Sequence, residues 1–211
     1  MAEHQGRDLN AAHAERVAEL HARVSENPGR MTSGATPFEE QAFRADFRPM
    51  IGVAMIEATN RASSTVEAEH LLLGFLFNRN APTTLLLAEH GLTYETFSEA
   101  LRREREQTLA AVGIRMPDPE RLRAAPRVRS GGPRFGAGAK ETWERAVRRA
   151  RARRGRAQRA VVSDFLIGIL SAELGTVPRA LAVAGIDRLA IIEALTPLSP
   201  AGPNGRPSPG P

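Results

Sequence analysis

The 211-residue sequence contains no cysteine, which excludes disulfides, thiolate zinc sites and cysteine nucleophiles together. Aromatic residues are scarce at 5%, with one Trp (Trp143) and one Tyr (Tyr94). A core must therefore be built from Leu, Ala, Ile and Val, a palette better suited to helix packing than to a sheet sandwich. Long apolar runs are also missing. The longest, Leu71 to Phe77 (LLLGFLF), is too short to span a bilayer. The opening MAEHQGRDLN has no apolar stretch of the signal-peptide kind, so a cytoplasmic protein with no membrane partner is expected. Lysine is nearly absent: Lys140 is the single one, and every other basic side chain is arginine.

What is present is helical pattern and positive charge. The net charge is +5 with a pI near 10.9. Arginine in place of lysine, with abundant Ala, Gly and Pro, fits a GC-rich coding bias, so the pI alone is weak evidence for a nucleic-acid partner. Residues 8–25 place Leu9, Ala12, Val17, Leu20 and Val24 at helical spacing, ended by Asn27-Pro28-Gly29. From Phe38 to about Glu106 the pattern is helical again. Phe43, Phe47, Ile51, Ala54 and Ala58 mark one face, with Pro49 expected to end or kink a turn. Ser64, Thr65 and Glu67 offer N-cap chemistry, Pro82 suits a first turn, Gly91 a helix stop and Thr93 a cap. Residues 111–134 are rich in Pro, Gly and Arg and keep no period, as a linker does. A second helical block runs from 135 to 196, and LSPAGPNGRPSPGP is expected to be a disordered tail.

The two blocks are related. Laying 69–101 over 163–195 brings Leu72/Leu166, Gly74/Gly168, Leu87/Leu181, Gly91/Gly185 and Leu101/Leu195 into coincidence without a gap. Core leucines and helix-stop glycines in register imply two copies of one four-helix unit. Residues 36–110 are net acidic, whereas the linker and second copy are strongly basic, chiefly through RRARARRGRAQR (148–159).

In this setting FRADFRPMIGVAMIEATNRASSTVEAEHLLLGFL resembles the Clp N-terminal repeat. Phe43 falls on that family's leading Phe, Glu57-Ala58 on its E-A, and Glu69 to Gly74 on its E-H-L-L-L-G. The second copy is similar but worn: Phe135, Ala139, Ala146 and Ala150 fit the first helix, and Ser163 to Gly168 replaces E-H-L-L-L-G. The resemblance implies an all-α fold of two four-helix repeats about a pseudo-two-fold axis, over 36–110 and 135–196. An N-terminal helix and linker (1–35), the Arg/Pro/Gly-rich linker (111–134) and a tail (197–211) complete the expected organisation. It also implies the N-domain of a Clp-type unfoldase without its motor. The nearest thing to a phosphate loop, GAGAKET (136–142), carries Ala139 where a Walker A motif needs Gly, and no cofactor is expected.

The resemblance supplies candidate contacts. Phosphoarginine-binding relatives use a Thr after the leading Phe and the Glu of T-E-H in each repeat. Here those positions hold Arg44 and Gly136, and Glu69 and Ser163, so the site as inherited is broken. Phe135 and Lys140 match positions bordering a peptide groove between the repeats, where an exposed aromatic and a cation would hold an apolar peptide. The alternative for Phe135 is a core anchor opening a helix. The five histidines show no metal spacing, and no nucleophile or carboxylate pair stands out, so neither a metal nor a catalytic residue is expected.

The expected function is non-catalytic: a peptide, substrate or cyclic-peptide binder acting as adaptor or decoy in a Clp ATP-dependent protease–chaperone system. Its expected partners are Clp components or their substrates, through Phe43, Arg44, Glu69, Phe135 and Lys140. The rival is a nucleic-acid-associated protein using Arg148, Arg149, Arg151, Arg153, Arg154, Arg156 and Arg159 as a polyanion patch. It lacks a helix-turn-helix or interleaved aromatics and is disfavoured.

Overall fold

A computed structural model describes residues 47–79, 81–115, 133–152 and 161–198. The helix expected over 8–25, most of the linker and the Pro-rich tail lie outside the described residues. Within them the chain is all-α. Helices α1 (Arg48–Asn60), α2 (Ala68–Phe77), α3 (Pro82–Glu89) and α4 (Tyr94–Ala111) form the first block. Helices α5 (Ala137–Ala152), α6 (Val162–Leu170), α7 (Thr176–Val183) and α8 (Arg188–Leu195) form the second, followed by a 3-10 turn, Thr196–Leu198.

Local chemistry explains where these helices start and stop. Pro49 lies in the first turn of α1, where its missing N–H is not needed, and it neither ends nor kinks the described helix. Pro82 opens α3 in the same way. Gly91 and Gly185 follow α3 and α7 at φ +77° and +69°, the left-handed conformation that ends a helix most easily with no side chain. Thr93 caps α4, its hydroxyl accepting from the Thr96 N–H at 3.2 Å. Helix α4 runs past Glu106 to Ala111, carried by Arg102 and Arg103 pairing with Glu99 and by Arg102 pairing with Glu106.

Helix α2 packs on α1, and α6 packs on α5, at near backbone contact. A Cβ on Gly74 would stand 2.3 Å from the Met50 carbonyl oxygen, and one on Gly168 would stand 2.9 Å from that of Thr142. These are the glycines that coincide when the sequence is laid on itself. The helix starts match as well. The Glu67 N–H donates to His70 Nδ1 at 2.9 Å, and the Val161 N–H donates to Asp164 Oδ2 at 2.9 Å.

The main core joins both blocks: Leu72, Leu76, Leu87 and Phe97 from the first meet Phe165, Leu166, Ile169, Leu181 and Leu195 from the second. One polar tie reinforces this junction and another the first block. Arg179 on α7 donates to the buried Glu104 carboxylate on α4 at 2.6 Å, and Tyr94 on α4 donates to the buried Glu57 on α1 at 2.7 Å. One feature is absent from the sequence pattern: β1 (Thr65–Val66) and β2 (Arg134–Phe135) pair in parallel, with the Gly136 N–H donating to Val66 O at 2.9 Å. This short ladder fastens the start of α5 to the first block.

The glycine contacts predict a graded response in urea unfolding followed by circular dichroism. Gly74→Ala, forced against rigid backbone, is expected to destabilise by about 3 kcal/mol. Gly91→Ala, strained only by its positive φ and facing open space, should lose about 1 kcal/mol. Equal losses at the two positions would contradict the close-packing account.

Candidate functional site

An apolar pocket lies where the blocks meet. Its walls are Phe47, Met50 and Ile51 from the start of α1, Leu71 and Phe75 from α2, Phe135 from β2, Trp143 from α5 and Phe165 from α6. The rings interlock: Phe165 lies 4.6 Å from both Phe47 and Trp143, centroid to centroid, and 6.3 Å from Phe75. Both spacings fall in the range where ring quadrupoles attract. In a chain with so few aromatics this convergence concentrates them at one place. Sequence reading placed Phe47 on the α1 face but did not find Phe75, Trp143 or Phe165 as a group. Aromatic scarcity itself was the signal available.

A second feature adjoins the pocket at the start of α5. The Glu67 carboxylate reaches from the start of α2, and its Oε2 accepts from the Gly138 N–H at 2.8 Å. It thereby satisfies an unpaired donor of the α5 first turn and meets the positive end of that helix. Gly136 makes this possible, since a Cβ there would lie 1.7 Å from Glu67 Oε1. Gly136 occupies the second of the two motif-threonine positions, so a carboxylate stands where relatives are expected to offer a hydroxyl to phosphate. The sequence suggested Glu67 only as part of the α2 cap.

The expected contacts fall as follows. Phe135 is 6% exposed and packs with Ile51, Ala54, Ala58, Val66 and Ala139, so it is a buried core anchor that also forms a pocket wall rather than an exposed aromatic. Lys140 is exposed on the first turn of α5, and Glu69 is half-buried on the first turn of α2; neither lines the pocket. Phe43 and Arg44 lie outside the described residues. Of the arginine run, Arg148 and Arg151 are exposed. Arg149 instead turns inward, its Nε 3.6 Å from the fully buried Asp164 carboxylate and its guanidinium donating to the Thr196 hydroxyl at 3.3 Å. It is therefore a structural ion-pair partner and drops out of any free polyanion patch. Arg153, Arg154, Arg156 and Arg159 lie outside the described residues.

Other arginines are also used structurally. Arg145 donates to Gly168 O at 2.7 Å and Arg188 to Leu170 O at 2.9 Å, satisfying carbonyls at the end of α6. Among the described residues no group of three or more His, Asp or Glu side chains could hold a metal ion. No helix of the described residues is long and apolar enough to cross a membrane.

Two ionisable groups at the start of α2 are displaced from their usual range. Burial, helped by the Arg61 charge, pulls His70 from 6.5 to about 4, so its imidazole is neutral and Nδ1 is free to accept from Glu67. Burial pushes the Glu69 carboxyl up. Its own backbone N–H opposes the shift, and the Glu67 charge adds to it.

Comparison with known proteins bears on the fold. No family model matches the sequence, and no curated protein matches it. Among solved structures, the N-terminal domain of the caseinolytic protease associated chaperone ClpD from Arabidopsis thaliana is similar, with a TM-score of 0.54 at 21% identity. The alignment covers 79% of this chain and 99% of that one. The chain thus has the fold of a Clp N-terminal domain.

The displaced groups give opposite pH effects. The unfolded chain binds a proton on His70 between about pH 6.5 and 4 that the folded chain does not. Stability from this residue is therefore complete above about pH 6.5 and falls as the pH drops through that window, by up to about 3 kcal/mol. His70→Asn, whose amide oxygen can accept the same bond, should flatten this segment of a urea-midpoint-against-pH curve. At Glu69 the folded carboxyl is harder to ionise, so its charge opposes folding at neutral pH. Glu69→Gln is expected to raise the urea midpoint at pH 7, with the gain vanishing below about pH 4.5.

Proposed function

We propose that this chain, with the fold of a Clp N-terminal domain, is a non-catalytic protein that binds apolar peptide segments or cyclic-peptide ligands. It acts as an adaptor or decoy in a cytoplasmic Clp ATP-dependent protease–chaperone system. The observation that carries the reading is the aromatic pocket at the junction of the two blocks, lined entirely by apolar side chains. Its chemistry suits an apolar side chain, but the space is little more than that of a methyl group, so a larger side chain enters only as the rings part.

Magnitudes bound what the pocket contributes. Burying one Leu or Phe side chain is worth about 1.5–3 kcal/mol, whereas micromolar affinity needs about 8 kcal/mol. The rim must therefore add contacts, for which Lys140 and Glu69 are the proposed flanking charges beside the Phe135 wall. The Glu67 carboxylate at the α5 N-terminus opposes a phosphate there, so the ligand proposed is an unphosphorylated peptide. The pairing of Arg149 with buried Asp164 weakens the nucleic-acid alternative by engaging one cation near the start of the run.

Fluorescence polarisation with a labelled Leu/Phe-rich peptide tests the proposal. Saturable binding that shifts Trp143 emission, survives moderate salt and weakens at least about tenfold in Met50→Asp is the expected result. No peptide binding, together with salt-sensitive binding of a labelled oligonucleotide unchanged by Met50→Asp, would replace it with the arginine-patch reading.

A further inference from the structure

The aromatic pocket holds little more space than a methyl group fills, and no polar atom faces it. Its walls divide by exposure. Ile51, Phe75, Phe135 and Phe165 are each 6% exposed or less and form the deep walls. Phe47, Met50, Leu71 and Trp143 are half-buried and form the rim.

The rings hold this space narrow. Phe47 and Trp143, the two rim rings, stand 6.4 Å apart at 70°. Both lean on Phe165 at 4.6 Å, and Phe75 stacks on Phe165 at 6.3 Å and 28°. Separating any one of these pairs gives up a ring–ring attraction, a factor of about two to ten in affinity. Met50 cannot give way through its backbone, because its carbonyl lies against Gly74 at the α1–α2 approach. Only its side chain can move.

These limits select among the side chains of a peptide. A polar or charged end would find no partner among the walls. Leu, Ile and Val are branched and Phe carries a ring, so each needs the rings to part. Ala has a methyl group of the right size but no stem to carry it past the rim. Methionine combines a single methyl end with an unbranched, flexible stem, and its sulfur is attracted to the edges of aromatic rings.

We propose that the anchor residue of the bound peptide is a methionine. Its S-methyl group fills the space among Ile51, Phe75, Phe135 and Phe165, and its sulfur lies between the rim rings Phe47 and Trp143. The assignment rests on the peptide-binding reading above and narrows it from an apolar side chain to one residue type.

Trp143 is the sole tryptophan and a rim ring, so its emission follows occupancy without a label. The probes are tryptophan-free, Gly/Ser-rich nonapeptides identical except at the central residue, titrated into the full chain. The Met peptide should bind about tenfold more tightly than the Leu or Phe peptide and about threefold more tightly than its norleucine counterpart, which keeps the shape and lacks the sulfur. The Ala peptide should not bind, and methionine sulfoxide should weaken binding at least about tenfold, since its oxygen meets no donor. Met50→Ala, with helix content retained, enlarges the pocket, and Leu should then bind at least as tightly as Met. Leu or Phe equal to or tighter than Met in the wild-type protein would overturn the methionine assignment while leaving an apolar-peptide pocket standing. Equal weakening of every peptide by Met50→Ala would also overturn it, because the selectivity would then not arise in this pocket. Norleucine equal to Met would keep the steric selection and overturn the sulfur contact. No binding of any peptide would overturn the assignment and the peptide-binding reading together.

Discussion

The pairing of Thr65–Val66 with Arg134–Phe135 is the contact on which the candidate site depends. It delivers Phe135 to the α1 face and places the first turn of α5 beneath Glu67. It also helps bring Trp143 and Phe165 toward Phe47 and Phe75. A two-residue ladder contributes little by itself, since a short pair of strands is marginal in water. Its effect comes from coupling to burial: the same residues that pair also insert a phenyl ring, and the adjacent helix end receives a carboxylate. Together with the shared core these hold the two blocks around the apolar junction.

Much of the architecture was legible locally. Gly91 and Gly185 stop helices because of a backbone conformation that sequence identifies well, and Thr93 and Pro82 start them for reasons contained within a few residues. Gly74 and Gly168, which coincide when the sequence is laid on itself, each sit at a close helix approach. What local reasoning missed was decided at long range. Glu67 read as a cap for its own helix, yet its carboxylate serves a helix 71 residues away. Arg149 read as one more cation of the candidate polyanion patch, because nothing in its neighbourhood in sequence reveals its pairing with the buried Asp164. Phe135 read either as a groove residue or as a core anchor opening a helix; it is the buried anchor, and the two-residue strand that carries it is too short to leave a periodic signal.

The arginines show a composition being absorbed by a fold. A coding bias toward arginine supplies many long, forked donors. Several are used where such a donor fits: Arg145 and Arg188 on carbonyls at the end of α6, and Arg179 on a buried glutamate. Each satisfies a polar group that would otherwise be expensive to bury. High pI is thus partly the by-product of internal wiring, and electrostatic attraction to a polyanion is not needed to account for it.

The fit of Glu67 against Gly136 also has an evolutionary corollary. The carboxylate and any side chain at 136 claim the same few cubic ångströms, so the two positions cannot drift independently. A lineage that restored a hydroxyl-bearing residue at 136 would have to shorten or redirect residue 67 in step. One that lengthened residue 67 would be confined to glycine at 136. Close homologues should therefore show these sites as a covarying pair separated by most of a helical block, a written trace of a contact that leaves no mark on hydrophobic periodicity.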